Sequence, residues 1–437
     1  MKQNQKQIFR GTVESLSHEA KGVVRLENKV VFVDGALPGE EIEFSVVKKR
    51  RKRDEATLEN IITASPDRVE PKCEHFGVCG GCSLQHLSSD AQVNWKQTGL
   101  IENLKRIGKV QPENVLAPVR GDIWGYRRKG RLGARYVIKK ERVLVGFREK
   151  STRYLADLNQ CEVLHESVGK HLTELGQLIA SLSVYQQVPQ VEIAIGDELK
   201  AMVIRHMEAV TNDDLEKLMN YGTKHGFQVM LQPKGPDTIH CIFPQDAPPL
   251  SYRLDDFDLE IQFSPSDFTQ VNASVNRQMV SQAIQLLEPQ ADDVIMDLFC
   301  GLGNFSLALA GKCKQVIGVE GDAGMTQKAA DNAKRNSVEN VSFHVANLFE
   351  SFTESSWAKT KIDRLLIDPP RSGAIEVARN LKKIGPKKLV YVSCDPATLA
   401  RDAEEIVHNQ GYRLTHAGVM DMFPHTAHVE SIAVFER

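Results

Sequence analysis

The sequence predicts an α/β protein in three parts: a small β-barrel at residues 1–66, a β-rich central domain at 67–264, and a doubly wound domain at 265–437. Short alternating strands with glycine turns fill the first part, and basic, strand-rich segments follow a cysteine cluster in the second. From about Asp293, apolar strands alternate with helical segments, which predicts a mainly parallel sheet. A chain of 437 residues is long enough for two or three such domains.

The composition excludes several classes of protein. With 41% hydrophobic and 26% charged residues and no long apolar run, the chain is not expected to span a membrane. The first residues are polar and lack the apolar core of a secretory signal, so we expect a cytoplasmic protein, and nothing in the sequence calls for an obligate protein partner. Eight cysteines in so long a chain do not suggest a disulfide framework. Three of them fall within ten residues, which indicates metal binding or catalysis.

Residues 8–64 alternate apolar and polar side chains between glycines, and this pattern predicts a barrel. The six adjacent cations of Lys48–Arg53 cannot pack inside it, so they are expected in a projecting hairpin loop. Phosphates are their natural counterions, which favours a nucleic-acid contact, and a merely solvated loop is the alternative.

A second basic region runs from Ala91 to Gln160, with sixteen Lys and Arg against six Asp and Glu in a chain whose net charge is −2. A helix is predicted at about residues 90–110, and it could pack on the third domain. The segment Trp124–Tyr136 then mixes aromatic residues with arginines, a combination that stacks on bases and binds phosphates. An ordinary amphipathic strand with its cations in water is the alternative.

The third domain has polar motifs at successive strand ends. The loop Asp297–Phe305 carries Gly301 and Gly303 where the first strand becomes a helix, and Glu320 ends the next strand, in the position that accepts hydrogen bonds from ribose hydroxyls. Ser306 replaces the third glycine of the dinucleotide fingerprint, which disfavours a nicotinamide cofactor. Together with Asn347 and Asp368 after the next two strands, the pattern resembles Rossmann-like S-adenosylmethionine methyltransferases.

The next two strand ends carry the reactive groups. Asp368-Pro-Pro-Arg and Ser393-Cys-Asp-Pro follow consecutive strands, so Cys394 is expected to share a cleft with Asp368. Carbon 5 of uracil becomes nucleophilic only after addition at carbon 6, and a thiolate favoured by cations or by the helix near Pro396 suits that role. Glu430 is the expected base for the carbon 5 proton, with His425 and His428 as alternatives. Methylation of an amino nitrogen, which needs no thiol, is the rival chemistry.

Cys73, Cys79 and Cys82 lie on a glycine-rich turn that could wrap a metal, and Cys161 is the expected fourth ligand. From spacing alone, zinc and a four-iron cluster are comparable, because both accept four thiolates.

The motifs between residues 265 and 437 resemble the RNA uracil-5 methyltransferase family. They comprise Phe299, Asn304, Glu320, Asp368–Arg371, Ser393–Pro396 and Phe423–Glu430. The resemblance implies Cys394 as nucleophile, Glu430 as base, and S-adenosylmethionine contacts from Gln270, Phe299, Asn304, Glu320, Asn347 and Asp368. The family usually has Asn where this chain has Asp395, and the extra negative charge is expected to raise the thiol pKa.

The first two parts narrow the resemblance to the ribosomal branch of the family. The barrel resembles a TRAM domain, and the cysteine arrangement is similar to the [4Fe–4S] site of that branch. The resemblance therefore implies methylation of carbon 5 of a uridine in 23S ribosomal RNA, flipped out of the folded RNA. The alternatives are a uridine elsewhere in ribosomal RNA or in tRNA, and an RNA-binding assembly factor without activity.

Overall fold

The computed structural model describes residues 7–27 and 29–437, so the start of the predicted barrel, residues 1–6, and Asn28 lie outside the described residues. The chain forms two compact units. The first contains the described part of Met1–Gly99 together with Phe147–Ala156 and Phe423–Ala427, and the second contains Leu100–Gly146, Asp157–Met422 and His428–Arg437. The domain boundaries at 66 and 264 stay a prediction.

The first unit begins with a curved sheet. Over the described residues its strands are β1 (Ile8–Thr12), β2 (Ser15–Leu16), β3 (Gly22–Leu26), β4 (Lys29–Asp34), β5 (Glu41–Lys48) and β6 (Arg53–Thr63). They lie in the order β1-β5-β6-β4-β3-β2. The two edge strands, β1 and β2, are separated in sequence by Val13 and Glu14 alone, and the N–H of Glu14 donates to the carbonyl of Val23 at 2.8 Å. The edges therefore meet, and the predicted barrel is confirmed.

The barrel core is aliphatic and aromatic, with Val24, Val31, Val33, Ile42 and Phe44 buried. The cationic run lies at the exposed turn between β5 and β6, where it was predicted.

A segment without helix or strand, residues 64–88, carries the three clustered cysteines and leads into α1 (Ser89–Arg106), which lies where a helix was predicted. Helix α1 crosses from the first unit into the second at Gly99.

The central part of the second unit is a mixed sheet flanked by helices. Its elements are β7 (Asn114–Val115), β8 (Lys129–Val137), β9 (Arg142–Gly146), α2 (Glu166–Gly169), α3 (Leu172–Ser181), β10 (Gln190–Ile195), β11 (Lys200–Arg205), α4 (Asn212–His225), β12 (Gln228–Gln232) and β13 (His240–Phe243). The sheet order is β13-β12-β11-β10-β8-β9. A hairpin of β14 (Leu250–Leu254) and β15 (Leu259–Phe263) follows.

The rest of the second unit alternates strands and helices as predicted. Its elements are α5 (Ala273–Leu287), β16 (Val294–Leu298), α6 (Ser306–Ala310), β17 (Gln315–Glu320), α7 (Ala323–Arg335), β18 (Val341–Val345), β19 (Arg364–Ile367), α8 (Ile375–Arg379), α9 (Leu381–Ile384), β20 (Lys388–Ser393), α10 (Pro396–Glu404), β21 (Arg413–Met420) and β22 (Glu430–Glu436).

The eight-stranded sheet of this part has the order β18-β17-β16-β19-β20-β22-β21-β7. Strands β16 to β20 are parallel, and β22 runs antiparallel between β20 and β21. This arrangement confirms the doubly wound prediction, and it places the carboxyl ends of the parallel strands along one edge. Strand β7 was not anticipated, because it comes from residues well before the predicted start of this domain.

Candidate active site

The loop between β16 and α6 turns sharply. Gly301 and Gly303 have φ values of +53° and +88°, and Phe299 has a φ of +63°. Glycine adopts such left-handed conformations without a steric penalty, which explains its use at two of the three positions. The loop backbone is thereby held next to the following strand, where Oε2 of Glu320 accepts the N–H of Gly301 at 3.1 Å.

Glu320 and Asn347 follow the next two strands. Oε1 of Glu320 accepts the N–H groups of Gly321 at 2.7 Å and Asp322 at 3.1 Å. Asn347 is exposed after β18, and the ring of Phe349 beside it lies 5.7 Å from that of Phe299. The structure thus brings the predicted residues of β16, β17 and β18 to one edge of the sheet.

Asn304 is held from the opposite side by two residues that sequence reasoning missed. Its Oδ1 accepts the hydroxyl of Tyr252 at 2.9 Å, and Nδ2 of Asn276 lies 3.3 Å from the same oxygen. Tyr252, Asn276 and the predicted Gln270 line one small cavity. No sequence signal distinguishes Tyr252 or Asn276, because each is a single polar residue in an ordinary strand or helix.

Cys394 and Glu430 face each other across two strands. Ser393 ends β20 and pairs with Ser431 of the antiparallel β22, so the next position along β20 lies opposite the first residue of β22. Asp368 follows β19, which is the parallel neighbour of β20. Two acids from different strands therefore flank the thiol, as the sequence predicted.

The charge around the thiol differs from the expectation. Burial, and after it the charges of Glu430 and Asp368, raise the pKa of Cys394 to about 11, while Arg371 acts in the opposite direction. This direction is opposite to the expectation that the site favours the thiolate. A thiol that is desolvated beside two acids holds its proton more strongly than a free one.

Asp395, the residue after the thiol, caps the helix that follows. Its Oδ1 accepts the N–H groups of Ala397 at 2.9 Å and Thr398 at 3.1 Å, so it caps α10. The donors expected to stabilise the thiolate are engaged by this carboxylate.

The acids themselves are perturbed by burial. Burial raises the pKa of Asp368 to about 7 and that of Glu430 well above its usual value. Asp297, at the base of the glycine loop, also has its pKa raised to about 7, first by burial and then by the charges of Asp368 and Glu320, against a hydrogen bond from Ser306. Such groups can hold a proton near neutral pH.

The two histidines considered as bases lie in different settings. His425 belongs to the first unit. Its backbone N–H donates to Oε1 of Gln92 at 2.8 Å, and its backbone carbonyl accepts the N–H groups of Ser83 and Leu84. Nδ1 of His428 lies 3.0 Å from Nη2 of Arg371 in the second unit.

The predicted metal ligands are divided between the units. Cys73, Cys79 and Cys82 are half-buried in the first unit, and Cys161 is half-buried in the second. Sγ of Cys79 accepts the N–H of Gly81 at 3.4 Å, and burial, with the neighbouring Cys73, raises the Cys79 pKa.

Only part of the charge in the mixed segment Trp124–Tyr136 is free of internal contacts. Tyr126 is buried, Arg128 pairs with Asp197, and Nζ of Lys129 donates to the carbonyl of Asp267. Arg131 and Arg135 are exposed, and Nε of Arg131 lies 3.4 Å from Oε1 of Glu192. Some of the cations that the sequence predicted to bind phosphates therefore make contacts within the protein instead.

The glycine loop and the sheet are those of the S-adenosylmethionine-dependent methyltransferase fold, and comparison with known proteins agrees. The family model described as tRNA (Uracil-5-)-methyltransferase matches residues 149–437, and the TRAM domain model matches residues 2–56. The chain belongs to the uracil-5-methyltransferase family. Among the described residues, no helix has the length and apolar character needed to cross a membrane.

Similar proteins agree with this assignment. One relative, the 23S rRNA (uracil(1939)-C(5))-methyltransferase RlmD of Francisella tularensis subsp. novicida, is 50% identical over 98% of this chain and 97% of its own length. The RlmD of Hahella chejuensis is 49% identical over 97% and 96%. The Pyrococcus abyssi tRNA (uracil-54, C5)-methyltransferase, solved with S-adenosyl-L-homocysteine, shares the fold with a TM-score of 0.75 at 24% identity, covering 98% of this chain and all of its own.

Proposed function

We propose that this protein transfers a methyl group from S-adenosylmethionine to carbon 5 of a uridine in 23S ribosomal RNA, at the position of U1939, as its relatives named RlmD do. The observation that carries the chemistry is the position of Cys394 opposite Glu430 beside Asp368. Methylation of ribosomal RNA would take place in the cytoplasm.

In the proposed reaction, the Cys394 thiol first loses its proton to water, and the sulfur forms a bond to carbon 6 of uracil. The π electrons of the ring double bond move into an enolate, whose carbon 5 takes the methyl group and releases S-adenosylhomocysteine. Glu430 then removes the carbon 5 proton, the sulfur–carbon bond breaks, and the ring double bond re-forms.

The cofactor is proposed to lie along the edge formed by the glycine loop and Glu320. Glu320 would exchange its contacts to backbone N–H groups for ribose hydroxyls, which are equivalent donors to a carboxylate. The remaining proposed contacts are Gln270, Phe299, Asn304, Asn347 and Asp368.

RNA is proposed to bind through the exposed cations of the barrel hairpin and of β8. Lys49, Arg51 and Lys52 are exposed at the turn, and Arg131 and Arg135 are exposed on the strand. Phosphate contacts of this kind supply affinity, whereas the pocket around Cys394 selects the flipped base.

We further propose that Cys73, Cys79, Cys82 and Cys161 hold a [4Fe–4S] cluster. Three thiols within ten residues suit the donor set of such a cluster, and the N–H of Gly81 beside Sγ of Cys79 is the kind of hydrogen bond that stabilises a ligated sulfur. Iron and acid-labile sulfide in equal amounts, lost together in Cys79→Ala, would support the cluster. Zinc without sulfide would favour the alternative site.

The choice of substrate is tested with free RNAs. Labelled methyl transfer is measured on 23S ribosomal RNA, on other ribosomal RNA and on tRNA under identical conditions. Preferential labelling of 23S ribosomal RNA supports the proposal, while preferential labelling of tRNA would favour the activity named for the Pyrococcus abyssi protein. An inactive assembly factor would bind RNA and label none of them.

The mechanism is tested with 23S ribosomal RNA carrying 5-fluorouridine. Fluorine cannot leave as a proton does, so the methylated adduct should remain covalently attached to the wild type and be absent from Cys394→Ala. Cys313→Ala, which changes another half-buried cysteine of the same unit, is the matched control and should form the adduct. Methyl transfer that is unaffected by Cys394→Ala would contradict the covalent mechanism and favour methylation of an amino nitrogen instead.

A further inference from the structure

A second cluster of reactive side chains lies in the central part of the second unit. His171 immediately precedes α3, Glu174 is in the first turn of α3, and His225 is the last residue of α4. Nδ1 of His171 lies 3.3 Å from Oε2 of Glu174, and Nε2 of His225 lies 3.2 Å from Oε1 of the same carboxylate. The three donor atoms all lie within 4.8 Å of one another.

We propose that His171, Glu174 and His225 form a site for a divalent transition metal of the Zn²⁺ type. Nitrogen and oxygen ligands bind Zn²⁺ at about 2.0–2.2 Å, so two ligands of a tetrahedral site are separated by about 3.3–3.6 Å. The two donor separations at Glu174 are close to this value. Water would complete the coordination, since the protein offers three ligands.

The environment of His225 is the independent observation that points to a ligand. Its side chain is only 9% exposed, and within the described chain its buried Nε2 makes no well-directed hydrogen bond, although Oε1 of Glu174 lies 3.2 Å away. The ring is fixed by contacts with Tyr221, at a centroid distance of 4.3 Å, and with His171, at 4.8 Å. The buried nitrogen thus has a carboxylate oxygen at 3.2 Å but no well-directed hydrogen bond, and a metal ion between the two atoms would satisfy both.

Glu174 already has a competing cation. Nζ of Lys224 bonds to Oε1 of Glu174, but the lysine side chain is 66% exposed. An exposed ammonium can move into water at little cost, because exposed ion pairs contribute little stability. A bound metal would then join the beginning of α3 to the end of α4, in place of this weaker contact.

The experiment uses the full chain with its cysteine site intact and ZnCl₂ as the probe. Zinc affinity is measured by competition with a chromophoric chelator, and crystals soaked in ZnCl₂ are examined for anomalous scattering. We expect an anomalous peak between the three side chains, and affinity weakened at least about tenfold in His171→Gln and in His225→Gln. His240→Gln, which changes an exposed histidine of the same unit, should bind as the wild type does.

Lys224→Ala gives a prediction of opposite sign, because removal of the competing cation should strengthen zinc binding. If His225→Gln fails to fold, the half-exposed His171 gives the decisive variant. Zinc affinity equal in wild type, His171→Gln and His240→Gln, with no peak at the cluster, would overturn the proposal.

Discussion

The hydroxyl of Tyr252 donates a hydrogen bond of 2.9 Å to Oδ1 of Asn304. This contact links hairpin strand β14 to the glycine loop that is proposed to bind the cofactor. Nδ2 of Asn304 in turn donates to Oδ1 of Asn276 at 3.1 Å, so both ends of the Asn304 amide are fixed before the cofactor arrives. Preorganisation of this kind lowers the entropic cost of binding.

Removal of the hydroxyl in Tyr252→Phe should therefore weaken S-adenosylmethionine binding while sparing the chemical step. One neutral hydrogen bond contributes about 0.5–1.5 kcal/mol, which corresponds to a KM increase of about two- to tenfold with little change in kcat. Steady-state kinetics with S-adenosylmethionine as the varied substrate measure the effect. Tyr185→Phe, whose hydroxyl bonds the adjacent Gln186, is the control, and a fall in kcat without a change in KM would contradict the assignment.

The reactivity of Cys394 should depend on the charges around it in opposite directions. Because Glu430 raises the thiol pKa and Arg371 lowers it, iodoacetamide at pH 8 should modify Glu430→Gln faster and Arg371→Gln more slowly than the wild type. A change of half a pK unit to one unit alters the thiolate fraction about three- to tenfold. Peptide mass spectrometry measures modification at Cys394 over time.

Cys313 is the internal control in the same experiment. Burial raises its pKa to about 11 as well, but neither Glu430 nor Arg371 contributes to that shift. Its rate of modification should therefore stay constant among the three proteins. Equal rates at Cys394 in all three would mean that Glu430 does not act on the thiol.

Asp297 should make the second unit less stable as the pH rises. Its pKa is about 7 in the folded chain, against about 3.9 in an unfolded one, so its contribution is fully present below about pH 4 and is lost as the pH rises through 7. Asp297→Asn should reduce the loss of unfolding free energy between pH 5.5 and 8 by on the order of 1–3 kcal/mol. Urea unfolding at both pH values measures the difference.

Asp368 has a pKa of about 7 and remains in both proteins, so some pH dependence should persist in the Asp297 variant. The exposed Asp331→Asn is the control and should follow the wild-type curve. Identical slopes in Asp297→Asn and the wild type would show that Asp297 does not carry this titration.

The barrel hairpin should contribute to RNA affinity through charge alone. Replacement of Lys49, Arg51 and Lys52 by Gln should weaken binding and reduce the dependence of log K on log salt by about 0.7–0.9 for each phosphate that is no longer neutralised. Arg50 is kept, because its side chain pairs with Glu55 and its N–H donates to Asp54. Filter binding over a salt series measures the slope.

The matched control replaces three exposed lysines of the second unit, Lys312, Lys314 and Lys361, with Gln. Their replacement changes the net charge equally and should leave the slope nearly unchanged. Equal effects of the two sets would indicate a nonspecific response to total charge.

The eight-stranded sheet and the residues at its strand ends were predictable because local patterns determine them. Apolar runs indicated the strands, and polar motifs directly after them indicated Glu320, Asp368 and Cys394. Strand β7 could not be predicted in the same way, because two residues carry no periodicity and their partner β21 lies far along the chain.

Contacts with residues distant in sequence also explain why some predictions from the sequence differ from the structure. Arg128 and Lys129 look like phosphate ligands locally, but their partners Asp197 and Asp267 come from distant segments. Likewise, the thiol pKa depends on Glu430, a residue of another strand, and the helix end expected to lower it is already capped by Asp395. Such effects require three-dimensional neighbours that no motif reveals.

Strand β22 separates β20 from β21, although it follows both in sequence. Before β22 is inserted, a gap separates β20 from β21, and the unpaired edges of both strands are exposed to association with other chains. The gap closes when residues 430–436 pair with both strands, and the same step places Glu430 opposite Cys394. Until this insertion has taken place, the folding chain lacks the proposed base opposite its proposed nucleophile.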